Sequence, residues 1–294
     1  MQVTASMVKE LRERTGAGMM ECKKALVETD GNIDAAIENM RKTGQAKADK
    51  KAGRIAAEGL IAVALSADGK SAAMVEVNCE TDFVAKEAEF KTFVDSVTRR
   101  ALEEKVDDAD ALGAVAIDNG GPSIEVRRRE LVARIGENIS LRRATVIDAA
   151  GDRLGTYVHG GRIGVVVDLG GGDDAVARDM AMHVAASRPL AVDESGIARE
   201  HLDKEKEILK AQVAASGKPP EIQEKIISGR LSKYLREVTL VGQPFVKDPD
   251  TPVEKYLKAA SAEVKGFIRY EVGEGIEKKS EKFAEEVMAQ ARGG

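Results

Sequence analysis

The sequence predicts an α+β protein, with antiparallel strands and separate helical regions. Three observations support this class. Short β-type runs occur in two groups in the middle of the chain, within residues 58–79 and 141–169. Segments with helical periodicity precede, cover and follow these groups. Charged residues make up 32% of the chain and aromatic residues only 3%, which favours helices rich in Ala, Glu and Lys.

Composition and charge exclude several classes of function. The formal net charge is -5, which argues against a general nucleic-acid binder, because neutralising phosphates requires concentrated Lys and Arg. Cys22 and Cys79 stand far apart, so they indicate neither a disulfide framework nor a zinc site and fit a reducing cytosol. The sequence lacks a secretory signal pattern and an apolar stretch of membrane-spanning length. We therefore expect a cytoplasmic protein without membrane contact.

Residues 1–54 are predicted to form a small three-helix domain followed by a linker. Thr4 is suited to cap the first helix, and the turn at residues 29–31 ends the second. The third helix carries apolar residues at helical spacing and is expected to end at Gly44. The basic run at residues 47–54 has too little apolar content to pack, so it is either a linker or an exposed helix.

Residues 55–139 are predicted to form the first part of the core. Two β-type runs within residues 58–79 flank a turn at Gly69, and glycine readily takes the positive φ of a tight hairpin turn. A helix follows, because apolar residues then repeat with helical spacing, and either Thr81 or Asp82 is suited to cap it. A tight corner between strand and helix is therefore expected.

Residues 140–190 and 241–275 are predicted to form the second part of the core. Three antiparallel strands are expected, followed by a covering helix over residues 173–186. Strand-like segments at 237–241 and 266–271 flank a short helix and return the chain to the same sheet. The three strands span residues 141–147, 154–158 and 163–169.

Two further helical regions lie outside this core. Residues 191–240 contain two long charged helical runs around a Ser-Gly-Lys-Pro-Pro segment, which predicts a projecting helical hairpin inserted into the second part of the core. Residues 276–294 are expected to form a final amphipathic helix, with Phe283 and Val287 on one face.

The residues do not indicate a catalytic, cofactor or metal site. The three histidines lie on different predicted elements, and no serine or cysteine stands in a nucleophile context. His183 falls on the apolar side of its helix and is expected to be a core residue. His159, at a predicted hairpin tip, fits an exposed functional residue and a plain turn residue equally well. The glycine clusters at 16–18 and 170–172 lack the spacing of phosphate-binding loops.

The strongest functional signal is the corner Glu-Thr-Asp-Phe-Val-Ala-Lys at residues 80–86. In one interpretation Asp82 caps the helix, and Phe83 points inward because it lies seven residues before Phe90 on the same apolar stripe. In the other, Phe83 is a wedge, a side chain that points outward and inserts into a partner. The residues alone favour the inward orientation, because an exposed aromatic ring is costly unless a partner covers it.

Five segments resemble the bacterial elongation factor Ts family. They are TDFVAK at 81–86, LRERTGAGMMECKKAL at 11–26, RIGENI at 134–139, MHVAAS at 182–187 and GFIRYEVGEGIEK at 266–278. The match runs in order over nearly the whole chain. It implies a ubiquitin-associated-like domain at residues 1–54, a core of two sheet-plus-helix subdomains, a coiled-coil insertion at 191–240 and a C-terminal module at 276–294.

The resemblance also implies a function. It implies a guanine-nucleotide exchange factor without chemical catalysis, which binds elongation factor Tu carrying GDP and promotes GDP release, and which meets GDP and GTP only through that partner. It is compatible with a homodimer or a 2:2 complex. An RNA- or ribosome-binding accessory protein, using residues 47–54, is the alternative.

The same resemblance assigns contact positions. Thr81, Asp82, Phe83 and Val84 would release the nucleotide, with Phe83 as an outward wedge and Asp82 disturbing the partner's magnesium environment. This reverses the orientation of Phe83 that the residues alone favour. The other implied partner contacts are Met19, Met20, Lys23, Ile135, Gly136, His159 and Val246.

Overall fold

The computed structural model describes residues 3–214 and 219–277, and it begins with a small helical bundle. The bundle consists of α1 (Ala5–Thr15), α2 (Met19–Glu28) and α3 (Ile33–Lys51). The Thr4 side chain caps α1 by accepting a hydrogen bond from the Met7 amide at 3.3 Å. Leu11, Cys22 and Leu26 are fully buried at the centre of the bundle. The three predicted helices are confirmed.

The prediction that the third helix ends at Gly44 is wrong. α3 continues to Lys51, and Gly44 is buried within it, where a Cβ atom would come within 3.2 Å of the Ala133 Cβ. Glycine disfavours a helix interior when considered alone, but here it permits close packing against a second helix. The basic run after residue 47 is therefore helical as far as Lys51. It exposes Lys47 and Lys50 but buries Ala48 in the first core, so it is more than an exposed helix.

The first sheet follows the bundle and is covered by helices. Its elements are β1 (Glu58–Leu65), β2 (Ser71–Cys79), α4 (Asp82–Lys86), α5 (Ala88–Glu104), α6 (Ala109–Ala114), α7 (Ile124–Ile135) and β3 (Ile139–Asp148). The strands are antiparallel in the order β1-β2-β3. Phe90, Val94 and Val97 of α5 are buried against this sheet. The predicted hairpin around Gly69 is confirmed, whereas α6 and α7 were not predicted.

The strand at residues 141–147 belongs to this first sheet, so its predicted place in the second sheet is wrong. β3 pairs with β2, with Leu141 opposite Val77 and Ile147 opposite Ala72. The apolar pattern of a strand identifies its faces but not its neighbour, because pairing depends on contacts between residues distant in the chain. The domain boundaries stay predictions.

The second sheet is formed by the later strands. β4 (Arg153–His159) and β5 (Ile163–Gly171) form a hairpin, and α8 (Asp174–Ser187) covers it. Then come α9 (Arg199–Ala214), α10 (Pro220–Val238), β6 (Pro244–Phe245), β7 (Asp248–Pro252), α11 (Val253–Ala259) and β8 (Ala262–Glu271). The sheet order is β4-β5-β8, all antiparallel. With two small antiparallel sheets and their covering helices, the predicted α+β class is confirmed.

Two details of this region differ from expectation. Residues 237–241 do not form a strand: α10 continues to Val238, and a short 3-10 turn at Leu240–Gly242 follows. The apolar residues that suggested a strand instead fill the core under that turn, where Leu240 is fully buried. The small hairpin of β6 and β7 was not predicted.

A buried carboxylate links the two halves of the core. The Glu76 side chain is fully buried and accepts hydrogen bonds from Arg142 at 3.0 Å, Arg143 at 2.5 Å and the Gly273 amide at 2.8 Å. Arg143 also donates to the Glu271 carbonyl at 3.0 Å. Because Glu271 ends β8, this cluster joins the first sheet to the last strand of the second.

The final predicted helix, with Phe283 and Val287, lies outside the described residues. None of the helices in the described part of the chain has the length and apolar character needed to cross a membrane.

Candidate functional site

The corner between β2 and α4 exposes an aromatic ring on a firmly packed turn. Thr81 is the N-cap of α4, and its hydroxyl oxygen accepts a hydrogen bond from the Val84 amide at 3.4 Å. Val84 and Ala85 are buried in the first core and anchor the helix. Phe83 lies on the opposite side, with 77% of its surface exposed.

The inward orientation of Phe83 that the residues alone favour is wrong. α4 ends at Lys86, and Glu87 is extended (φ -67°, ψ 139°) and is the N-cap residue that precedes α5. Phe83 and Phe90 therefore belong to different helices, whereas their seven-residue spacing predicts a common face only for one unbroken helix. The exposed side chain agrees with the outward orientation that the family resemblance implies.

Charged groups surround the exposed ring. The Lys86 ammonium lies 2.5 Å from an Asp82 carboxylate oxygen and 5.9 Å from the centroid of the Phe83 ring. The hydrogen bond from Lys86 lowers the pKa of Asp82, and the nearby charge of Arg162 lowers it further. The corner thus presents an apolar ring beside a carboxylate that stays ionised at neutral pH.

A second turn, after α7, holds this corner. Gly136 ends α7 with a φ of 90°, a conformation that suits glycine. The next residue, Glu137, accepts two hydrogen bonds from Thr81: one from its amide at 3.0 Å and one from its hydroxyl at 2.7 Å. Ile135 is half-buried against the first core. The structure therefore brings Ile135 and Gly136 beside residues 81–84.

Glu137 was missed as a functional candidate, although it lies within the quoted segment RIGENI.

Burial chiefly, together with the neighbouring charge of Glu137, raises the pKa of the Cys79 thiol to about 12. Cys79 is fully buried directly beneath the corner. It is a packing residue of this site, since a protonated, buried thiol is a poor nucleophile.

The tip of the β4–β5 hairpin lies at the same end of the first sheet. Arg162 pairs with Glu58 at 2.6 Å, and the Ile61 amide donates to the Gly161 carbonyl at 2.7 Å. Glu58 is opposite Cys79 in the β1–β2 register, close to the corner. His159 is exposed at this tip, with its Nδ1 3.2 Å from the Tyr157 hydroxyl. His159 is therefore exposed, which fits a functional residue and a plain turn residue equally well.

The remaining candidate positions lie on other elements. Met19, Met20 and Lys23 are exposed on α2, and Met20 has 76% of its surface accessible. Val27, one of the exposed large apolar residues, extends the same helical face and was not predicted. Val246 is exposed between β6 and β7.

His183 supports the Val246 segment from below. It is fully buried, and its Nδ1 accepts a hydrogen bond from the Val246 amide at 3.2 Å. Its other ring nitrogen lies 3.0 Å from the Gln243 side-chain oxygen. The expectation that His183 is a core residue is confirmed.

Comparison with known proteins identifies the family. A family model described as elongation factor TS matches residues 80–274. Elongation factor Ts of Thioalkalivibrio sulfidiphilus is 63% identical over 294 residues, covering 100% of both chains. The proteins of the same name from Alkalilimnicola ehrlichii and Halorhodospira halophila are 60% and 58% identical, covering at least 99% of each chain. The chain belongs to the elongation factor Ts family.

The family match covers most of the candidate positions. The matched segment begins at the corner and includes the turn after α7, the β4–β5 tip and Val246, whereas the exposed face of α2 lies before it. Within the described residues, no group of three or more His, Cys, Asp or Glu side chains is placed to hold a metal ion. The exposed features are apolar side chains flanked by charges, a composition typical of binding surfaces.

Proposed function

We propose that this chain binds elongation factor Tu carrying GDP and promotes release of the nucleotide, so that GTP can enter. The observation that carries this proposal is the 77% exposure of Phe83 on a capped, well-packed corner. An exposed aromatic ring held in one orientation is costly in water and becomes favourable once a partner covers it. Family membership supports the same conclusion.

Phe83 is the proposed wedge. Fully burying a phenylalanine side chain contributes about 1.5–3 kcal/mol. If the ring fits only a partner conformation with a loosened grip on phosphate and magnesium, that energy shifts the partner toward the conformation. Asp82, beside the ring, brings a negative charge that disturbs the magnesium environment. Thr81 and Val84 fix the position of both side chains.

Exchange then follows from linkage between the two ligands of elongation factor Tu. If this protein weakens GDP binding by some factor, GDP weakens the binding of this protein by the same factor. Either ligand can therefore leave a ternary complex, and GTP can complete the exchange. The proposed activity needs no bond to be made or broken in the nucleotide, and this chain meets GDP and GTP only through its partner.

The other proposed partner contacts extend the surface over several elements. They are Met19, Met20 and Lys23 on α2, Ile135 and Gly136 after α7, His159 at the hairpin tip, and Val246. Exposed methionines suit an adaptable apolar contact, and Lys23 suits an acidic patch. The stoichiometry, including a homodimer or 2:2 complex through residues 191–240, and the cytoplasmic location belong to the same proposal.

The alternative of an RNA- or ribosome-binding protein has less support. Three of the basic side chains in the run 47–54 are engaged within the chain: Lys47 pairs with Glu21 at 2.7 Å, Lys51 donates to the Gly136 carbonyl, and Arg54 pairs with Glu80 at 3.5 Å. Binding through phosphate contacts would also fall steeply with salt concentration. Binding to elongation factor Tu and to RNA across a salt series separates the two functions.

The direct test is release of a fluorescent GDP analogue from elongation factor Tu, with and without this protein. We expect the unaltered protein to accelerate release. Phe83→Ala should reduce this acceleration roughly 10- to 100-fold at subsaturating concentration, because it removes the burial energy of the ring. Leu65→Ala is the matched control: Leu65 is exposed and apolar but lies at the far end of β1.

Each outcome has a separate meaning. An unaltered protein that leaves the release rate unchanged removes the exchange function. A Phe83→Ala variant with full activity removes only the wedge. Equal losses in Phe83→Ala and Leu65→Ala would point to general destabilisation.

A further inference from the structure

We propose that Glu137 is a positioning residue that locks the Phe83 corner to the turn after α7, so that both meet the partner as one rigid surface. The inference rests on the proposed exchange function and deepens it, since it names a residue that acts through Phe83.

The two carboxylate oxygens of Glu137 hold the backbone and the side chain of Thr81. Oε2 accepts from the Thr81 amide at 3.0 Å, and Oε1 accepts from the Thr81 hydroxyl at 2.7 Å. Because a hydroxyl has only one hydrogen, donating it to Glu137 turns the oxygen lone pairs toward other donors. The Val84 amide is such a donor, at 3.4 Å. Glu137 thereby orients the cap of α4.

This cap matters because α4 is short. It spans five residues, so few backbone hydrogen bonds within the helix hold its first turn. A capping side chain stabilises a helix by accepting a hydrogen bond from one of the amides that the first turn leaves free. Phe83 lies in the capped turn, so its direction depends on the Thr81 cap and, through that cap, on Glu137.

A second hydrogen bond joins the same two segments, with the donor now on the turn after α7 and the acceptor on the corner. The Asn138 amide donates to the Glu80 carboxylate at 2.6 Å. The Asn138 side chain, almost fully buried, donates to the Arg54 carbonyl at 2.7 Å. Glu80 precedes the corner and Glu137 follows the α7 turn, so each segment contributes a carboxylate that binds the other. Two such links leave little freedom for relative movement.

Rigidity of this kind is useful to a wedge. Ordering a loose segment during binding costs free energy that is then lost to the complex, and a misplaced ring cannot select the correct partner conformation. Phe83 and the Ile135–Gly136 turn are held together before binding. Neither therefore has to be ordered when the protein contacts elongation factor Tu.

The test compares Glu137→Ala and Glu137→Gln with Glu103→Ala in the full chain. Glu103 is a matched control because its exposed carboxylate pairs with Arg100 on α5, away from the corner. The first measurement is amide hydrogen exchange at Thr81 and Val84 in the free protein. We expect Glu137→Ala to accelerate it at least tenfold, Glu137→Gln to do so less, and Glu103→Ala not at all.

The second measurement is GDP release in single and double variants. Glu137→Ala should raise the half-saturating concentration roughly fivefold, which corresponds to the typical size of a cap contribution. In a Phe83→Ala background the same substitution should add little further loss. A residue that merely stabilises the fold would produce the same loss in both backgrounds.

The results separate this inference from the function on which it rests. Unchanged amide exchange at Thr81 and Val84 in Glu137→Ala overturns the inference, as does equal loss in both backgrounds. If the unaltered protein fails to accelerate GDP release, the proposed function falls, while the amide exchange still decides whether Glu137 holds the corner. Should Glu137→Ala not fold, Glu137→Gln supplies the same comparison, and Thr81→Val tests the hydroxyl bond alone, because it replaces the hydroxyl by a methyl group and keeps the Thr81 amide.

Discussion

His183 illustrates how a buried polar residue fixes an exposed one. Its Nδ1 accepts from the Val246 amide, so the hydrogen of a neutral ring is assigned to Nε2, which donates to Gln243. Gln243 in turn donates to the Glu237 carbonyl at 2.8 Å. Protonation would place a hydrogen on Nδ1 facing the Val246 amide hydrogen. Burial lowers the pKa of His183, and the bond to Gln243 offsets part of that shift.

The free energy of unfolding should therefore decrease as the pH drops below the pKa of a histidine in the unfolded chain. The pKa of histidine in the unfolded chain is about 6.5. Between that pH and the lower pKa of folded His183, the unfolded chain binds a proton that the folded chain does not, so the free energy of unfolding decreases by up to about 1.4 kcal/mol per pH unit. Urea unfolding at pH 7.5 and 5.5 measures this loss.

Two variants test the assignment to this side chain. His183→Gln should lose the pH dependence of this step. His201→Gln should keep it, because His201 is exposed on α9. A pH dependence that persists unchanged in His183→Gln would contradict the role given to the buried ring.

Among the helices, the contact between α3 and α7 depends on a glycine. A Cβ atom added at Gly44 would come within 3.2 Å of the Ala133 Cβ, whereas one added at Gly229 in α10 would meet nothing within 4 Å. Both positions gain up to about 1 kcal/mol of helix propensity from Gly→Leu. At Gly44, overpacking of about 1–3 kcal/mol opposes this gain.

We therefore expect opposite effects from one substitution. Gly44→Leu should lower the thermal unfolding midpoint, and Gly229→Leu should leave it unchanged or raise it, as measured by circular dichroism. A raised midpoint in Gly44→Leu would show that α3 and α7 do not pack as described.

Elements with strong local signals could be predicted from the sequence. The hairpin turn at Gly69 and the Thr4 cap rest on interactions between residues close in the chain, and both predictions are confirmed. The continuation of α3 beyond Gly44 could not be predicted, because it depends on packing against α7. α7 does carry local signals of a helix, because Ser123 is suited to cap its beginning and Gly136 to end it. The arginine-rich sequence between them makes its apolar periodicity hard to recognise.

For the whole molecule, Glu76 couples the two sheets. Its carboxylate binds Arg142, Arg143 and the Gly273 amide, and the side chain is fully buried. The corner belongs to the first sheet and His159 to the second, so this cluster contributes to holding the proposed contact positions at a fixed separation.

Glu76→Gln should lower the free energy of unfolding by about 3 kcal/mol, because it removes the buried counter-charge from Arg142 and leaves Arg143 only the more distant Glu274, at 3.6 Å. Urea denaturation measures the loss. Glu254→Gln is the control: its pair with Lys258 is exposed to solvent and screened, so its loss should leave stability almost unchanged. Equal effects in the two variants would mean that the Glu76 cluster contributes no more than a surface ion pair.

Only part of the candidate site could be predicted from the sequence. The family resemblance supplied residues 81–84 and the outward direction of Phe83, which the spacing to Phe90 alone predicted wrongly. Glu137 escaped notice because its bonds to Thr81 join residues 56 positions apart in the chain. The strand at residues 141–147 was assigned to the wrong sheet for the same reason, because its pairing with β2 joins residues distant in the chain.

The two thiols give the protein a practical property for labelling chemistry. Cys22 and Cys79 are both fully buried, and the pKa of Cys79 is raised to about 12, mainly by burial. Maleimide reagents react with accessible thiolates, so the folded native chain offers them no good target. A cysteine introduced by Ala88→Cys, at an exposed position beside the corner, would then carry a fluorophore selectively. The motion of the corner relative to a labelled partner can thus be followed without first removing either native cysteine.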